Sequence, residues 1–275
     1  MRHMLIFGLG YSAKRICHLA HEAGWTVTAT GRDGMVDFAD TDRVRSAIAG
    51  ADVILSSVPP SRTDGDDPVL LHYGAQLERH AGWIGYLSST GVYGDRGGAW
   101  VDESTPVGSG RRSARVDADA HWLALGARVF RLPGIYGPGR SALDRVREGK
   151  AHRIDLPEQV FSRIHVEDLA RGVIAGLDAP AGAYNLADRL PASHNAVVEE
   201  ACRLLHRKPP AMQTLEEADL SPMARGFYAE NRRVANVKAK RVLGWYPAFP
   251  TFREGLVACL TDCRAHRADP VSAGI

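Results

Sequence analysis

The chain has 275 residues, 45% of them hydrophobic and 24% charged, with a formal net charge of +2. That length can bury a sizeable core, and the composition is that of a globular protein, not a disordered or fibrous one. The charge balance, with no basic stripe interleaved with aromatics, gives no reason to expect nucleic acid, and no apolar run approaches the roughly 18–20 residues of a membrane span.

Met1-Arg2-His3 leads straight into the apolar run Met4–Phe7, which suits a buried strand better than a signal peptide, so a cytoplasmic protein is expected. A helix follows, with small or apolar residues at Ala13, Ile16, Cys17, Ala20 and Ala23 and a stop at Gly24. Thr26–Thr30 is a β-branched strand ending at Gly31-Arg32. Val44, Ala47 and Ile48 mark a helix closed by Gly50, before the strand Val53–Leu55. Asp67-Pro68 is a helix start, an N-cap followed by proline in the first turn, and that helix is expected to reach about Ala81. The strand Trp83–Leu87, a helix over about 112–125 and the strand Arg128–Leu132 come next.

This alternation predicts an α/β protein with a Rossmann-type, doubly wound parallel sheet. It breaks down after about Gly137, although a helix near 168–177 and a strand at 184–186 return to the sheet. Residues 1–137 with about 163–187 are therefore assigned to a dinucleotide-binding domain. Segments 138–162 and 188–275 form a smaller C-terminal substrate-binding lobe, where Asn236–Leu243 with Gly244 and a capping box at Thr251–Glu254 mark two helices. Cys17, Cys202, Cys259 and Cys263 lack metal-ligand spacing and read as small buried hydrophobes. His18 and His21 have no third ligand nearby and read as a solvated helix face.

Gly8-Leu9-Gly10-Tyr11-Ser12-Ala13 fits G-x-G-x-x-G/A between the first strand and the first helix. Gly8 permits the tight turn, Gly10 lets a pyrophosphate approach the backbone, and Ala13 lets the helix pack closely on the sheet. The second strand ends in Arg32, not an acidic residue. A guanidinium there offers donors to a 2′-phosphate, which favours NADP(H) over NAD(H); a merely solvated Arg32 is the plainer reading, and Asp33 beside it weakens the case. Asp37, after an expected third strand, is a candidate adenine contact.

Four segments in order carry a resemblance: the glycine-rich start, Leu87–Gly94 (LSSTGVYG), Arg131–Gly139 (RLPGIYGPG) and Arg163–Ala170 (RIHVEDLA). Together with Arg241–Pro247 (RVLGWYP) and Arg253–Leu256 (REGL), they resemble the extended short-chain dehydrogenase/reductases, the NAD-dependent epimerase/dehydratase group, over nearly the whole chain. The resemblance implies that Ser89 polarises a substrate carbonyl or hydroxyl, with Thr90 as a possible substitute. It places Ser57, Val58 and Pro59, after a fourth strand, and Ser88 beside the cofactor, and Pro133, Gly134 and Ile135 beside the nicotinamide. It also implies nucleotide-sugar-type substrates and a homodimer formed through helices flanking the sheet.

The family's Tyr-x-x-x-Lys is missing. With Arg115 at the lysine position, Arg111 stands at the tyrosine position and Asp119 where members often carry an acid. Arginine does not cycle a proton at working pH, so Arg111 cannot replace the phenol; Arg115 can still hold ribose hydroxyls or an anion. An ion-paired exposed helix face formed by Arg111, Arg115 and Asp119 is the structural alternative. Three readings stay open. Another group, Tyr136, His165 or the Ser89/Thr90 hydroxyls, is the acid/base; or Arg111 and Arg115 hold an anionic substrate; or the protein is an inactive NADP(H)-binding redox sensor or regulatory partner.

Overall fold

Short apolar segments that can bury both faces pair side by side into a parallel sheet. The computed structural model describes residues 2–108 and 113–268. Its first half runs β1 (His3–Phe7), α1 (Tyr11–Glu22), β2 (Thr26–Ala29), α2 (Thr41–Gly50), β3 (Val53–Ser56), α3 (Pro68–Leu77) and β4 (Trp83–Ser89). A 3-10 turn over Thr90–Tyr93, β5 (Trp100–Val101), α4 (Ser113–Ala124), β6 (Arg128–Leu132) and β7 (Gly134–Tyr136) follow. Then come α5 (Ala142–Arg147), β8 (Arg153–Ile154), β9 (Arg163–His165), α6 (Val166–Ala175) and β10 (Gly182–Asn185). The chain closes with α7 (His194–Leu204), β11 (Met212–Gln213), α8 (Pro222–Tyr228), β12 (Arg233–Val234), α9 (Val237–Leu243) and α10 (Phe252–Ala268).

Six strands form the central sheet in the order β10-β6-β4-β3-β1-β2, every pair parallel. From β1 the chain first winds outward to β2 and then crosses back to β3 on the other side. The direction reverses between β1 and β3, and ligands of such sheets bind in the crevice outside the carboxyl ends at that point. Side chains of β1 alternate between two cores. Met4 and Ile6 join one on the α1/α6 face, whereas Leu5 and Phe7 join the other, where Phe7 stacks on Tyr73 of α3 and Tyr86 of β4 on Trp122 of α4. The N-cap carboxylate of Asp67 accepts from the Val69 and Leu70 amides and from Trp122 Nε1 at 2.8 Å, tying α3 to α4.

The expected third strand does not form. A tight turn closes Gly31 to Gly34, and a Cβ on Gly34 would lie 2.5 Å from the backbone of Ala29 and Thr30. The segment therefore folds back onto the end of β2 with a single bridge, Thr30 to Val36, and β3 stands where a fourth strand was expected. The α3 helix also stops four residues before Ala81, at Leu77.

The C-terminal segments pack a separate core from Leu143, Val197, Val198, Phe252 and Leu256. Short parallel pairs β7-β9, β8-β11 and β5-β12 join distant parts of the chain. Among the described residues, no helix is long and apolar enough to cross a membrane, and no group of three or more His, Cys, Asp or Glu could hold a metal ion.

Candidate active site at the carboxyl edge of the sheet

The loop after β1 turns on Gly8, a position that strains any other residue. Gly8 has φ +84°, and a Cβ there would meet Val58 Cγ2 at 2.9 Å and Ser57 Oγ at 3.1 Å. Ser57 Oγ donates to the Gly8 carbonyl, and the Leu9 amide donates to the Thr30 carbonyl at 2.9 Å. Gly10, the N-cap of α1, differs: nothing lies within 4 Å of its Cβ position, and no side chain caps the helix. The first turn of α1 thus presents the positive end of its dipole to open space, an arrangement suited to an anion. Ala13 is buried against the sheet.

Arg32 and Asp37 are exposed on the loop after β2, and Asp37 accepts from the Ala39 amide at 3.0 Å. Asp33 is engaged by Lys14 of α1 at 2.5 Å; that hydrogen bond and charge hold its carboxyl below the usual range.

Beyond the loop lies a crevice of about 290 Å³ lined by Gly10–Ala13, Ser57, Pro59, Ser88, Ser89, Arg115, Pro133 and Ile135. It adjoins a larger cavity of about 430 Å³ on the C-terminal lobe's side, reached past Thr90 and Gly134. Ser89, Pro133, Ile135 and Arg140 line both, so Ser89 stands where the two meet. Ser89 Oγ accepts from the Gly91 amide at 3.1 Å in capping the 3-10 turn, which leaves its proton for another acceptor. Thr90 is buried at the cavity wall. Arg115 is half-buried and reaches the crevice beside the buried Tyr86 phenol, which burial pushes well above its ordinary pKa. Arg111 lies outside the described residues.

Asp119 does not belong to an exposed ion-paired face. It is 1% exposed and accepts from Arg131 Nη2 at 2.7 Å, Arg131 Nε at 3.2 Å and Ser88 Oγ at 2.5 Å. Arg131 Nη1 also donates to Tyr93 Oη at 3.1 Å, and Tyr93 donates to Asn185 Oδ1 at 2.8 Å. This buried chain fixes the ends of β4, β6 and β10 beneath the cleft. Burial works against the Arg131 charge, but Asp119 and Tyr93 outweigh it and raise its pKa.

Two other candidate acid/bases lie elsewhere. Tyr136 turns away from the cleft: its Oη is buried without a hydrogen-bond partner and sits against Gly255 of α10, where a Cβ would be only 2.0 Å away. Burial raises its pKa far above the usual phenol value, so it is a packing residue. His165 Nδ1 accepts from the Glu167 amide as the N-cap of α6, and its Nε2 lies 3.5 Å from Cys259 Sγ, so it is a structural hydrogen-bonder.

Several residues of the cavity were not singled out from the sequence. Arg163 donates to the carbonyls of Phe161 (2.8 Å), Ala192 (2.9 Å) and Ser193 (3.4 Å), and has no carboxylate within ion-pair distance among the described residues. His152 stacks on His194 at 4.9 Å, and its Nε2 lies 3.2 Å from Tyr228 Oη. Burial pulls the pKa of both imidazoles down, to about 4 for His194. These groups come from β9, α7, α8 and the loop before β8, so no local spacing announces them.

The geometry defines a class by its fold: it is the Rossmann-type fold also seen in solved epimerase and dehydratase structures. UDP-glucose 4-epimerase of Thermotoga maritima, solved with UDP-glucose, matches over 96% of this chain and 99% of its own at 15% identity, with a TM-score of 0.80. A human epimerase family protein solved with NADPH matches over 92% and 97% at 17% identity and TM-score 0.73. Within that class, the chain belongs to one family with a conserved protein of unknown function from Silicibacter pomeroyi. The two share 37% identity over 95% of this chain and 99% of the other, with a TM-score of 0.84. A curated Streptomyces relative, a 3-diazoavenalumate denitrifying reductase, is 33% identical over 147 residues, spanning 48% of this chain and 46% of its own length. No family model matches the chain.

Proposed function

We propose that this protein is an NADP(H)-dependent oxidoreductase acting on a carbonyl or hydroxyl group of a small anionic substrate. The observation that carries the reading is the open space over Gly10 at an uncapped helix N-terminus, adjoining a cavity at Ser89. The residues present fit a nicotinamide dinucleotide. Gly8 through Ala13 would hold its pyrophosphate, Ser57–Pro59, Ser88 and Arg115 the adjoining ribose, and Pro133–Ile135 the ring. When bound, it supplies or accepts hydride. Ser89 then polarises the reacting oxygen of the substrate by hydrogen bonding.

The NADP(H) preference is supported by Arg32 and by the Lys14–Asp33 pair, which offsets the repulsion of a 2′-phosphate by the Asp33 carboxylate. Among the similar structures, the human one is solved with NADPH and others with NAD. Arg140 and Arg163 beside Phe161 and Tyr228 suit an anion carrying a flat apolar group.

Fluorescence titration is expected to show NADPH binding at least about 10-fold tighter than NADH, the value of a charge-assisted phosphate contact. Arg32→Glu should reverse the order, and Gly10→Asp should weaken both by about 100-fold, a carboxylate against the pyrophosphate being worth roughly 3 kcal/mol. Equal affinities that Arg32→Glu leaves unchanged would overturn the preference.

A second reading, a redox sensor that binds NADP(H) without turnover, rests on one observation: no tyrosine or lysine occurs between Gly94 and Arg131. It expects no oxidation of NADPH by any carbonyl compound and no effect of Ser89→Ala.

A further inference from the structure

We infer that Tyr228 of α8 supplies the acid/base phenol missing from α4, with His152 as its proton relay. The inference rests on the reading of the cleft as an NADP(H) oxidoreductase site. Tyr228, His152 and His194 line the same cavity as Ser89, Thr90 and Pro133–Ile135, so the phenol shares the space in which Ser89 stands.

Tyr228 is half-buried and lines the cavity, which none of the buried tyrosines, Tyr73, Tyr86, Tyr93, Tyr136 and Tyr184, does. Tyr228 Oη meets the ring nitrogen of His152 at 3.2 Å, and its ring is set edge-on against Phe161. Arg163 lines the same cavity and its charge favours the phenolate, in the role that a lysine has beside the family's tyrosine. His194 stacks on His152 and orients it.

The charges around the cluster come from each neighbouring element. Arg145 of α5 and Arg163 of β9 both act on His194, Arg145 also acts on His152, and Glu230 with Arg232 line the cavity after α8. Burial pushes the Tyr228 phenol up to about 12 and keeps both imidazoles neutral, so the phenol enters a reduction protonated. When hydride from a reduced nicotinamide reaches a carbonyl carbon, the C=O π pair moves to oxygen. The Tyr228 O–H bond breaks and the proton bonds to that oxygen, giving the alcohol. His152 Nε2 then takes a proton from water and passes it to the phenolate, which restores the starting state.

The test uses the full chain with ¹³Cζ-labelled tyrosine, the Tyr228 resonance being identified by its loss in Tyr228→Phe. NADP⁺ brings a positive ring toward the phenol and is expected to lower its titration midpoint by at least about one unit. With 4-carboxybenzaldehyde as probe, Tyr228→Phe should lose about 10²–10⁴-fold in kcat while NADPH affinity stays unchanged, the usual contribution of general acid catalysis. His152→Gln should lower kcat with the phenol still present. A Tyr228 midpoint unmoved by saturating NADP⁺ overturns the inference whatever the turnover. Full kcat in Tyr228→Phe also overturns it. Failure of the wild-type chain to bind NADP⁺ instead removes the oxidoreductase reading on which it stands.

Discussion

Asp119→Ala is expected to destabilise the protein by about 3–5 kcal/mol, the range for removing one partner of a buried ion pair. The Arg131 and Asp119 side chains are only 4% and 1% exposed, and Asp119 accepts from three donor atoms of two residues. Truncation leaves the guanidinium uncompensated in the interior and the Ser88 hydroxyl without its acceptor. At this chain length the midpoint of thermal unfolding should fall by roughly 10 °C. Replacing both charges, as Asp119→Leu with Arg131→Met, should recover much of the loss, because the penalty lies in the orphaned charge. A loss below about 1 kcal/mol for the single variant would show that the network does not support the ends of β4 and β6.

The second large effect is a pH dependence centred on Asp188. This carboxyl is 2% exposed; Oδ1 accepts from the Leu190 amide at 3.2 Å, and Oδ2 has no partner. Burial raises its pKa to about 7, more than the Leu190 amide and the Arg163 charge lower it, and Asp168 and Glu254 add repulsion. A folded pKa above the unfolded value of about 3.9 means that the native state holds the proton more tightly. The carboxyl therefore causes no loss of stability below about pH 4. Stability then falls as pH rises from about 4 to 7, by roughly 4 kcal/mol in all, and stays level above. Asp188→Asn keeps the acceptor for Leu190 and removes the titration. Urea unfolding should show the variant equal to wild type near pH 4 and more stable by a few kcal/mol at pH 8. A constant difference across that range would contradict the assignment.

Features set by local rules were legible in the sequence. Glycines 8, 10 and 31 and the Asp67-Pro68 helix start act within a few residues of themselves, so each could be read without knowing what packs around it. The missing third strand was not legible, because Val36 and its neighbours carry a strand's composition while the turn at Gly31–Gly34 denies them length. Helix α7 did carry a signal that went unread: Ser193 caps it, and Val197, Val198, Ala201 and Cys202 form its buried stripe. Asp119 was read in register with an acidic position, but its partner Arg131 is on the next strand and only folding brings them together. The same holds for His152, Arg163, His194 and Tyr228, which meet only across the cavity. Tyr136 stayed one of several open candidates because a motif position gives sequence neighbourhood, not the direction of a side chain.

The most direct test of the account is a crystal structure of the chain grown with NADPH. It is expected to show the pyrophosphate over the first turn of α1 at Gly10, the adenosine 2′-phosphate at Arg32, and the nicotinamide beside Pro133–Ile135 and facing Ser89. A dinucleotide bound elsewhere, or a crevice left empty at saturating NADPH, would contradict it.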